Sequence, residues 1–494
     1  MTVEHYAKTA SGAERSGVIP EPATGALAIL QGRVGSERMG ARLTVETSAA
    51  RLVGRLSRAA GRGGGTTLPG KLLWKIDPGA VDALAARLPA GVAVVSATNG
   101  KTTTSAMLAR ILGSRYRLAW NNSGANLASG VASTLLAARD ADLGLLEVDE
   151  FALPEVIQHV RPRVVSLGNL FRDQLDRYGE LEHIAERWRD AVAILPSAST
   201  LIVNADDPLV ADLASGRGGS LRFGVDDPRL ARPVLQHAAD SKYCVRCGEP
   251  YRYAVAYVGH LGDYQCPACG HARPQLDVSA RSIDLQALDA SAFDLVTPAG
   301  TARVHLPLPG LYNVYNALAA ASVALALDAS LDEIVSGLGA FTAAFGRFER
   351  IEAGDRRILM LLIKNPAGAN EAIRTLEEGG VPRTVVIALN DRIADGRDVS
   401  WIWDVDFEPL LEQAETIIAS GERAAELALR FTYAGFPSSQ LEVIPDLREA
   451  LDRGLSLVPA GEELGVLPTY TAMLDLRAIA VARGLVRPFW EGTP

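Results

Sequence analysis

The sequence has 494 residues, enough for two or three domains, and 48% of them are hydrophobic against 22% that are charged. This composition is ordinary for a globular protein, and the net charge of −9 argues against a general nucleic-acid-binding protein. No apolar run approaches the roughly 18 residues of a membrane-spanning helix, and the N-terminus lacks the apolar core of a signal peptide. We therefore expect a cytoplasmic protein that binds no nucleic acid.

The N-terminal part of the chain has two segments of different character. Residues 1–40 are rich in Ala, Gly, Ser, Glu and Pro without periodicity, which predicts a disordered extension, or a start codon placed too early with Met39 as the true start. From Val45 to Ala60 apolar residues recur at helical spacing among arginines, which indicates a basic amphipathic helix. Packing against the neighbouring domain is the simpler interpretation, and contact with a membrane surface is the alternative.

The stretch from Val92 to Thr104, VAVVSATNGKTTT, has the order of a phosphate-binding loop. A β-branched apolar run predicts a buried strand, small residues predict a turn, and a helical pattern follows. Backbone N–H groups at the start of that helix would face phosphates, Lys101 would meet the outer phosphates and Thr102 would reach Mg²⁺. An ordinary strand-to-helix turn is the alternative. The predicted nucleotide-binding residues of this loop are Thr98, Asn99, Gly100, Lys101, Thr102 and Thr103.

Apolar strands alternate with helical segments along most of the chain, which predicts an α/β fold with parallel sheets. The alternation runs from Leu68 to about Ala231, resumes after a cysteine-containing insertion at residues 240–275, and begins again at Ile358. We place a domain boundary at residue 346. The predicted strands are Val92–Ser96, Leu143–Val148, Val164–Leu167, Thr200–Val203, Ile358–Ile363, Thr384–Leu389, Thr416–Ile418 and Leu441–Ile444.

An acidic residue closes the second of these strands. Glu147 ends the run Leu-Gly-Leu-Leu-Glu, and ligands of parallel sheets collect at the carboxyl ends of strands. A carboxylate at that edge would hold the Mg²⁺ of a nucleotide together with Thr102. Asp149 and Glu150 are nearby alternatives to Glu147 for this role. The non-functional alternative is that Glu147 is an acidic residue exposed to solvent at the end of a strand.

The four cysteines of the chain form two C-x₂-C pairs separated by 18 residues: Cys244, Cys247, Cys266 and Cys269. Four thiolates suit a closed tetrahedral Zn²⁺ site, which leaves no open position for catalysis. Two disulfide bonds are the alternative explanation of the four cysteines, but a cytoplasmic location disfavours disulfide formation. We therefore predict a structural zinc ribbon inserted in the first domain.

Three further polar residues lie near the predicted domain boundary. Asn313 and Asn316 stand three apart at the start of a helix, where they would either cap the helix or hydrogen-bond a nucleotide. Arg347 is placed to reach a phosphate across a hinge, although an isolated arginine is more often a surface charge.

Six motifs, ATNGKTTT, LLEVDE, NLFRDQLDRYGE, NADDP, NVYNALAA and GRFE, occur in the order seen in Mur ligases and folylpolyglutamate synthases. The cysteine insertion and the segments that begin at Lys364 and Ala394 resemble one branch of that family, the MurT subunits of lipid II isoglutaminyl synthases. The resemblance implies a Mur ligase-type ATP-binding domain over residues 41–345 and a smaller Rossmann-like α/β domain over residues 346–494. It also implies that ATP and Mg²⁺ activate a carboxylate, with Asn313 and Asn316 serving the nucleotide and Arg347 and Lys364 the phosphates.

The sequence departs from ordinary Mur ligases in four respects. Gln174 stands where those enzymes usually carry the histidine of D-H-L-D, and no lysine lies between Lys101 and Lys242 to supply their carboxylated lysine and its second metal. Lys364 stands in place of the histidine of D-Y-x-H-N-P. Only about 50 residues separate Met39 from the first strand, too few for a domain that grips a soluble nucleotide-sugar, so a lipid-linked substrate fits better.

The source of nitrogen cannot be this chain. A triad glutaminase needs a cysteine and a histidine, but the ribbon uses every cysteine and no histidine follows His305. The resemblance implies a heterodimer with a GatD-type glutamine amidotransferase subunit, whose triad is completed by an aspartate here matched to Asp398. Without the resemblance, Asp398 would be taken for a loop cap, with Asp391, Asp395, Asp404 and Asp406 competing for the role.

These expectations combine into one reaction. The α-carboxylate of D-Glu in the lipid II stem peptide would form an acyl phosphate, and ammonia would displace phosphate to give D-isoglutamine, with the protein peripheral at the inner face of the membrane. Lys101, Glu147 and the partner-directed Asp398 are the predicted catalytic residues. A stand-alone ligase that adds an amino acid is one alternative, and a scaffold that recruits partners through the ribbon is another.

Overall fold

The structure, a computed structural model, describes residues 67–122, 124–173, 181–232, 235–236, 239–341 and 348–487. All of these residues belong to one compact unit. The predicted extension 1–40, the predicted helix from Val45 to Ala60 and the predicted boundary at residue 346 lie outside the described residues. Within the described ranges, no helix has both the length and the hydropathy that crossing a bilayer requires.

A nine-stranded sheet carries the phosphate-loop motif. Strand β1 (Val92–Ser96) runs parallel to its neighbours β3 (Leu143–Glu147) and β4 (Val164–Leu167), and every residue of β1 is buried. A continuous apolar run is what a parallel strand covered on both faces requires, and each buried valine contributes about 1.5–3 kcal/mol to the core. The other strands are β2 (Leu118–Trp120), β5 (Thr200–Asn204), β6 (Ser220–Val225), β9 (Val278–Gln286), β10 (Ala290–Thr297) and β11 (Gly300–Leu306).

The spatial order of this sheet is β11-β10-β9-β6-β5-β4-β1-β3-β2. In this spatial order, the seven strands β9, β6, β5, β4, β1, β3 and β2 pair in parallel. Strands β10 and β11 add an antiparallel edge. Helices cover the sheet, and a short 3-10 turn spans Pro228–Leu230. The helices are α1 (Leu68–Ile76), α2 (Gly79–Ala85), α3 (Lys101–Leu112), α4 (Ala128–Ala137), α5 (Leu153–Val160), α6 (Leu181–Ala193), α7 (Pro208–Asp212), α8 (Leu311–Ala326) and α9 (Leu331–Gly339).

Helix α8 brings a distant part of the chain to the phosphate loop. It is rich in alanine and nearly all of its residues are buried, because it packs against α3 and against the sheet. Small side chains allow this close approach of two helices. Its first turns therefore stand beside the N-terminus of α3.

The cysteine insertion forms a separate two-stranded hairpin. Strands β7 (Arg252–Val258) and β8 (Leu261–Gln265) pair antiparallel, and the two cysteine pairs lie just before β7 and just after β8. The predicted ribbon therefore has the hairpin geometry that brings four cysteines together.

A second, six-stranded sheet occupies residues 348–468, in the order β12-β13-β17-β14-β15-β16. All of its pairings are parallel except that of β12 with β13. The strands are β12 (Phe348–Ala353), β13 (Arg356–Leu361), β14 (Thr384–Ala388), β15 (Thr416–Ser420), β16 (Leu441–Val443) and β17 (Glu463–Pro468). Helices α10 (Pro366–Gly379), α11 (Glu408–Gln413), α12 (Ala424–Tyr433), α13 (Leu447–Leu457) and α14 (Tyr470–Ala482) pack on it, with a 3-10 turn at Ser400–Asp404. The predicted α/β class with two parallel sheets is confirmed.

Candidate active site

The loop between β1 and α3 is held by the segment that follows β4. The backbone N–H of Thr98 donates to the carbonyl of Asn169 at 2.8 Å, and that of Asn99 donates to the Asn169 side chain at 2.9 Å. The N–H of Phe171 donates to Thr98 Oγ1 at 3.1 Å. The loop backbone is therefore fixed before the helix begins, which is how a phosphate cradle is preorganised.

Gly100 is required at the turn into α3 for two reasons. Its φ of +89° lies in the left-handed region that favours glycine. A Cβ at this position would also stand 1.9 Å from Oδ1 of Asn316 on α8. The sequence motif thus needs glycine both for its backbone angle and for the close approach of α8.

Lys101 is buried and forms an ion pair with Glu150, with 2.7 Å between Nζ and Oε2. Burial lowers the pKa of Lys101, but the charges of Glu150 and Asp149 more than offset this effect, so its pKa lies above the ordinary value. Burial raises the pKa of Glu150, yet the charges of Lys101 and Lys364 bring it below the ordinary value. Both groups are therefore charged at neutral pH, and the loop holds a fixed ammonium.

Thr102 and Glu147 meet at the carboxyl end of β3. The Thr102 hydroxyl donates to Glu147 Oε1 at 3.0 Å, and the Glu147 side chain is buried. Asn121 fixes the backbone of Glu147 with two hydrogen bonds, of 2.8 and 2.7 Å. A hydroxyl and a buried carboxylate are hard oxygen donors of the kind that Mg²⁺ prefers, so these two residues fit the predicted magnesium site.

A cleft with an empty volume of about 1000 Å³, part of it open to solvent, lies between the two sheets. Gly100, Asn313 and Asn316 line it from the first sheet, and Phe348 and Lys364 line it from the second. Both asparagines that the sequence left open between capping and binding therefore line this cleft.

Two asparagines of α8 are also tied to each other. Asn316 Nδ2 donates to Asn313 Oδ1 at 3.1 Å, and Asn313 Nδ2 donates to the carbonyl of Pro309 at 2.7 Å. The Asn316 side chain is thereby held in place above Gly100.

The second sheet contributes residues directly to the loop. Lys364 Nζ donates to the carbonyl of Thr98 at 3.1 Å and pairs with Asp173 Oδ2 at 2.5 Å. The side-chain amides of Asn99 and Asn365 exchange two hydrogen bonds, at 3.1 and 3.3 Å. The loop is therefore bonded from both sides of the cleft.

The four cysteines stand apart from this cleft as a cluster of their own. All four Sγ atoms lie within 4.8 Å of one another, and none is in a disulfide. Backbone N–H groups of Gly248 and Gly270 close the two knuckles by donating to the carbonyls of Cys244 and Cys266. The donor set and its compactness fit a tetrahedral Zn²⁺ site, as predicted.

Comparison with known proteins decides the family. Residues 362–473 match the model of the MurT ligase C-terminal domain, and residues 95–260 match the Mur ligase middle domain. The MurT subunit of the glutamine-hydrolysing lipid II isoglutaminyl synthase of Streptococcus pneumoniae strain R6 is 33% identical over 90% of this chain and 99% of its own. The corresponding subunit of Staphylococcus aureus strain N315 is 33% identical over 78% and 86%. The chain belongs to the MurT family.

Solved structures of Mur ligases share the MurT family fold seen here. A type C pseudomurein peptide ligase from Methanothermus fervidus matches 79% of this chain and 78% of its own, with a TM-score of 0.62 and 23% identity. MurF from Acinetobacter baumannii matches 84% and 81%, with a TM-score of 0.61 and 22% identity. At this level of identity the likeness concerns the fold.

Asp398, which the family resemblance predicts to face a partner subunit, lies on the surface and lines a smaller pocket that is open to solvent. Its Oδ1 accepts a hydrogen bond from the backbone N–H of Ser400 at 2.8 Å, and hydrogen bonds from Ser400 hold its pKa below the ordinary value. Lys364 and Asn365 line the same pocket. The position of Asp398 is therefore exposed, ionised and close to the residues that bond the phosphate loop.

The rival aspartates have partners within the chain. Asp391 pairs with Arg423 at 2.6 Å, and Asp404 lies 3.3 Å from Arg172. Asp395 is buried and accepts hydrogen bonds from the backbone and hydroxyl of Thr471.

Arg347 and Gln174 lie outside the described residues. Glu150, which the sequence offered as an alternative to Glu147, pairs with Lys101 instead. Three residues that contact the loop or Lys364 were not assigned a site role from the sequence, because segments far apart in the chain supply them: Asn169, Asp173 and Asn365.

Proposed function

We propose that this chain is the ATP-dependent ligase subunit that amidates the D-Glu α-carboxylate of the lipid II stem peptide to D-isoglutamine. One observation carries the proposal. In this MurT family chain, Lys101, Thr102 and Glu147 meet at a phosphate-loop motif whose Asn99 and Gly100 line a cleft between the two sheets. The buried ammonium of Lys101 and the pairing of Thr102 with Glu147 support a catalytic role over a purely structural scaffold.

The loop residues have distinct roles in this reaction. Thr102 and Glu147 would hold Mg²⁺, which when bound neutralises phosphate charge. The Lys101 ammonium, kept charged by Glu150, stabilises the negative charge that develops as the carboxylate attacks the γ-phosphate of ATP. Lys364 reaches the loop from the second sheet and supplies a further positive charge at the same edge. This step gives an acyl phosphate and releases ADP. Ammonia then attacks the acyl carbon, and phosphate leaves as the amide forms.

The nitrogen comes from a partner subunit in this proposal. The four cysteines lie together in the ribbon cluster, where Zn²⁺ would occupy their thiolates and serve the fold. A GatD-type glutamine amidotransferase subunit would supply ammonia, and Asp398 would complete its Cys-His triad by orienting the histidine. The exposed and ionised carboxylate of Asp398 supports this role. The complex would work at the cytoplasmic side of the membrane, where ATP is present.

The test is amidation of lipid II with ATP and Mg²⁺, supplied with glutamine or ammonium, with and without the GatD-type partner. We expect glutamine to be a nitrogen source only in the presence of the partner, and ammonium to be a nitrogen source without it. Ligation of an amino acid in place of ammonia would establish the stand-alone ligase instead. No ATP turnover with any nitrogen source would favour the scaffold.

The Asp398→Asn variant tests the division of labour between subunits. We expect it to lose the glutamine route by about 10⁴-fold, as when a triad aspartate is replaced by asparagine, and to keep the ammonium route. Asp404→Asn is the matched control, because the same change at the same pocket should leave both routes intact. Equal loss of both routes in Asp398→Asn would contradict the assignment.

A further inference from the structure

Helix α1 has one buried face and one exposed face of unusual composition. Pro69, Gly70 and Leu73 are buried. The opposite face carries Leu68, Leu72 and Ile76 at intervals of four residues, with Lys71 and Lys75 between them. Leu68 is 46% and Ile76 58% exposed, and both lysines are exposed. No acidic residue lies within the helix.

The buried face fixes α1 to the first sheet's helices. The N–H of Gly70 donates to Ser133 Oγ of α4 at 2.8 Å, and a Cβ on Gly70 would lie 1.9 Å from the carbonyl oxygen of Ser129. Trp74 Nε1 donates to Glu155 of α5 at 2.5 Å. The helix is therefore held rigidly, and its exposed face has a fixed orientation relative to α4 and α5.

We propose that the outer face of α1, defined by Leu68, Lys71, Leu72, Lys75 and Ile76, lies on an anionic lipid surface. The inference rests on the lipid-linked substrate of the proposed function. Apolar side chains enter the boundary of the acyl chains while lysines meet acidic head groups, which is how short amphipathic helices bind membranes. A nine-residue helix is about 14 Å long, so it lies on a bilayer and does not span it.

Charge favours this face within the part of the chain that the structure describes. The net charge of the chain is −9, so an anionic bilayer repels most of its surface. The outer face of α1 combines exposed apolar groups with positive charge alone. Leu127, which precedes the neighbouring α4, is also exposed, at 44%.

A short series of contacts links this face to the active site. Helix α4 begins two residues after Asn126, whose carbonyl accepts a hydrogen bond from the N–H of Asp149 at 2.9 Å. Asp149 follows the magnesium-site carboxylate Glu147 by two positions. A membrane bound to α1 would therefore lie at a fixed position relative to Glu147 and Asp149. The carboxylate of the lipid-linked substrate must react near these two residues.

The test measures binding of the full chain to vesicles of phosphatidylcholine alone and of phosphatidylcholine with phosphatidylglycerol. We expect binding to the anionic vesicles that weakens with salt. Each lysine near an anionic surface contributes about fivefold to binding, so Lys71→Gln/Lys75→Gln should bind about 25-fold more weakly. Leu68→Ser/Ile76→Ser should also weaken binding to the anionic vesicles, because it removes the apolar side chains that enter the acyl-chain boundary.

The matched control is Arg110→Gln/Arg448→Gln, which removes two exposed positive charges elsewhere and should change vesicle binding less than twofold. ATP affinity should be the same in all variants, because α1 contributes nothing to the cleft lining. Vesicle binding that is absent, or that the α1 variants leave unchanged, would overturn the inference.

A water-soluble stem peptide with D-Glu, tested with ammonium, separates this inference from the proposed function. If the soluble peptide is amidated while vesicle binding ignores α1, the membrane face is wrong and the function stands. If vesicle binding depends on α1 while neither the peptide nor lipid II is amidated, the function is wrong and the membrane face stands.

Discussion

Replacing Gly100 by alanine is the sharpest perturbation of the phosphate loop. An L-residue at a φ of +89° costs about 1–2 kcal/mol. The new Cβ would stand 1.9 Å from Asn316 Oδ1, so that side chain must move. Its 3.1 Å hydrogen bond to Asn313 would break, at a cost of about 1 kcal/mol.

The backbone strain and the lost hydrogen bond together cost about 2–3 kcal/mol. The Gly100→Ala loop can avoid this cost by leaving the conformation that binds phosphate. Because ATP binds the cradle conformation alone, its apparent Kd should rise by the same free energy, about 30- to 140-fold. Isothermal titration calorimetry of ATP·Mg²⁺ binding to the wild type and to Gly100→Ala measures this ratio.

The Asn316→Ala background supplies the control. Removing the amide removes the collision but leaves the backbone strain, so Gly100→Ala in that background should raise the Kd by only about 5- to 30-fold. An unchanged Kd in Gly100→Ala would refute the reasoning. The same ratio in both backgrounds would show that Asn316 does not constrain the loop.

Two further predictions concern the loop ammonium and the ribbon. In Glu150→Gln, Lys101 loses its strongest counter-charge while it stays buried, so the pKa of Lys101 falls. Between pH 7 and pH 9.5 the ATP affinity of this variant should therefore decline further than that of the wild type. Calorimetry at both pH values measures the two declines, and equal declines in the two proteins would contradict the prediction. Cys247→Ser should lower the bound zinc per chain, measured by mass spectrometry, and the melting temperature, whereas Ala268→Ser in the other knuckle should change neither. Full zinc content in Cys247→Ser would exclude the Cys₄ site.

Local pattern predicted the elements that build the active site. The β-branched run of β1, the small-residue turn and the helix after Lys101 all appear where the sequence placed them, and Glu147 ends its strand beside Thr102. Each of these features depends on residues close together in the chain. The order of parallel strands then brings them to one edge.

The rest of the site depends on contacts between distant segments. Asn365 reaches Asn99 across 266 positions, and Lys364 reaches Asp173 across 191. No periodicity or capping rule encodes such pairs. The choice of Asp398 among five aspartates likewise came from family resemblance, because a loop carboxylate carries no local signal of a partner.

The bonds between Asn99 and Asn365, and between Lys364 and the carbonyl of Thr98, have a thermodynamic consequence. Lys364 and Asn365 also line the pocket beside Asp398. If docking of a glutaminase at Asp398 shifts these two residues, it changes the affinity for ATP, and ATP must then change the affinity for the glutaminase by the same factor. The nucleotide and the nitrogen-supplying subunit would thus act as effectors of each other through two adjacent side chains.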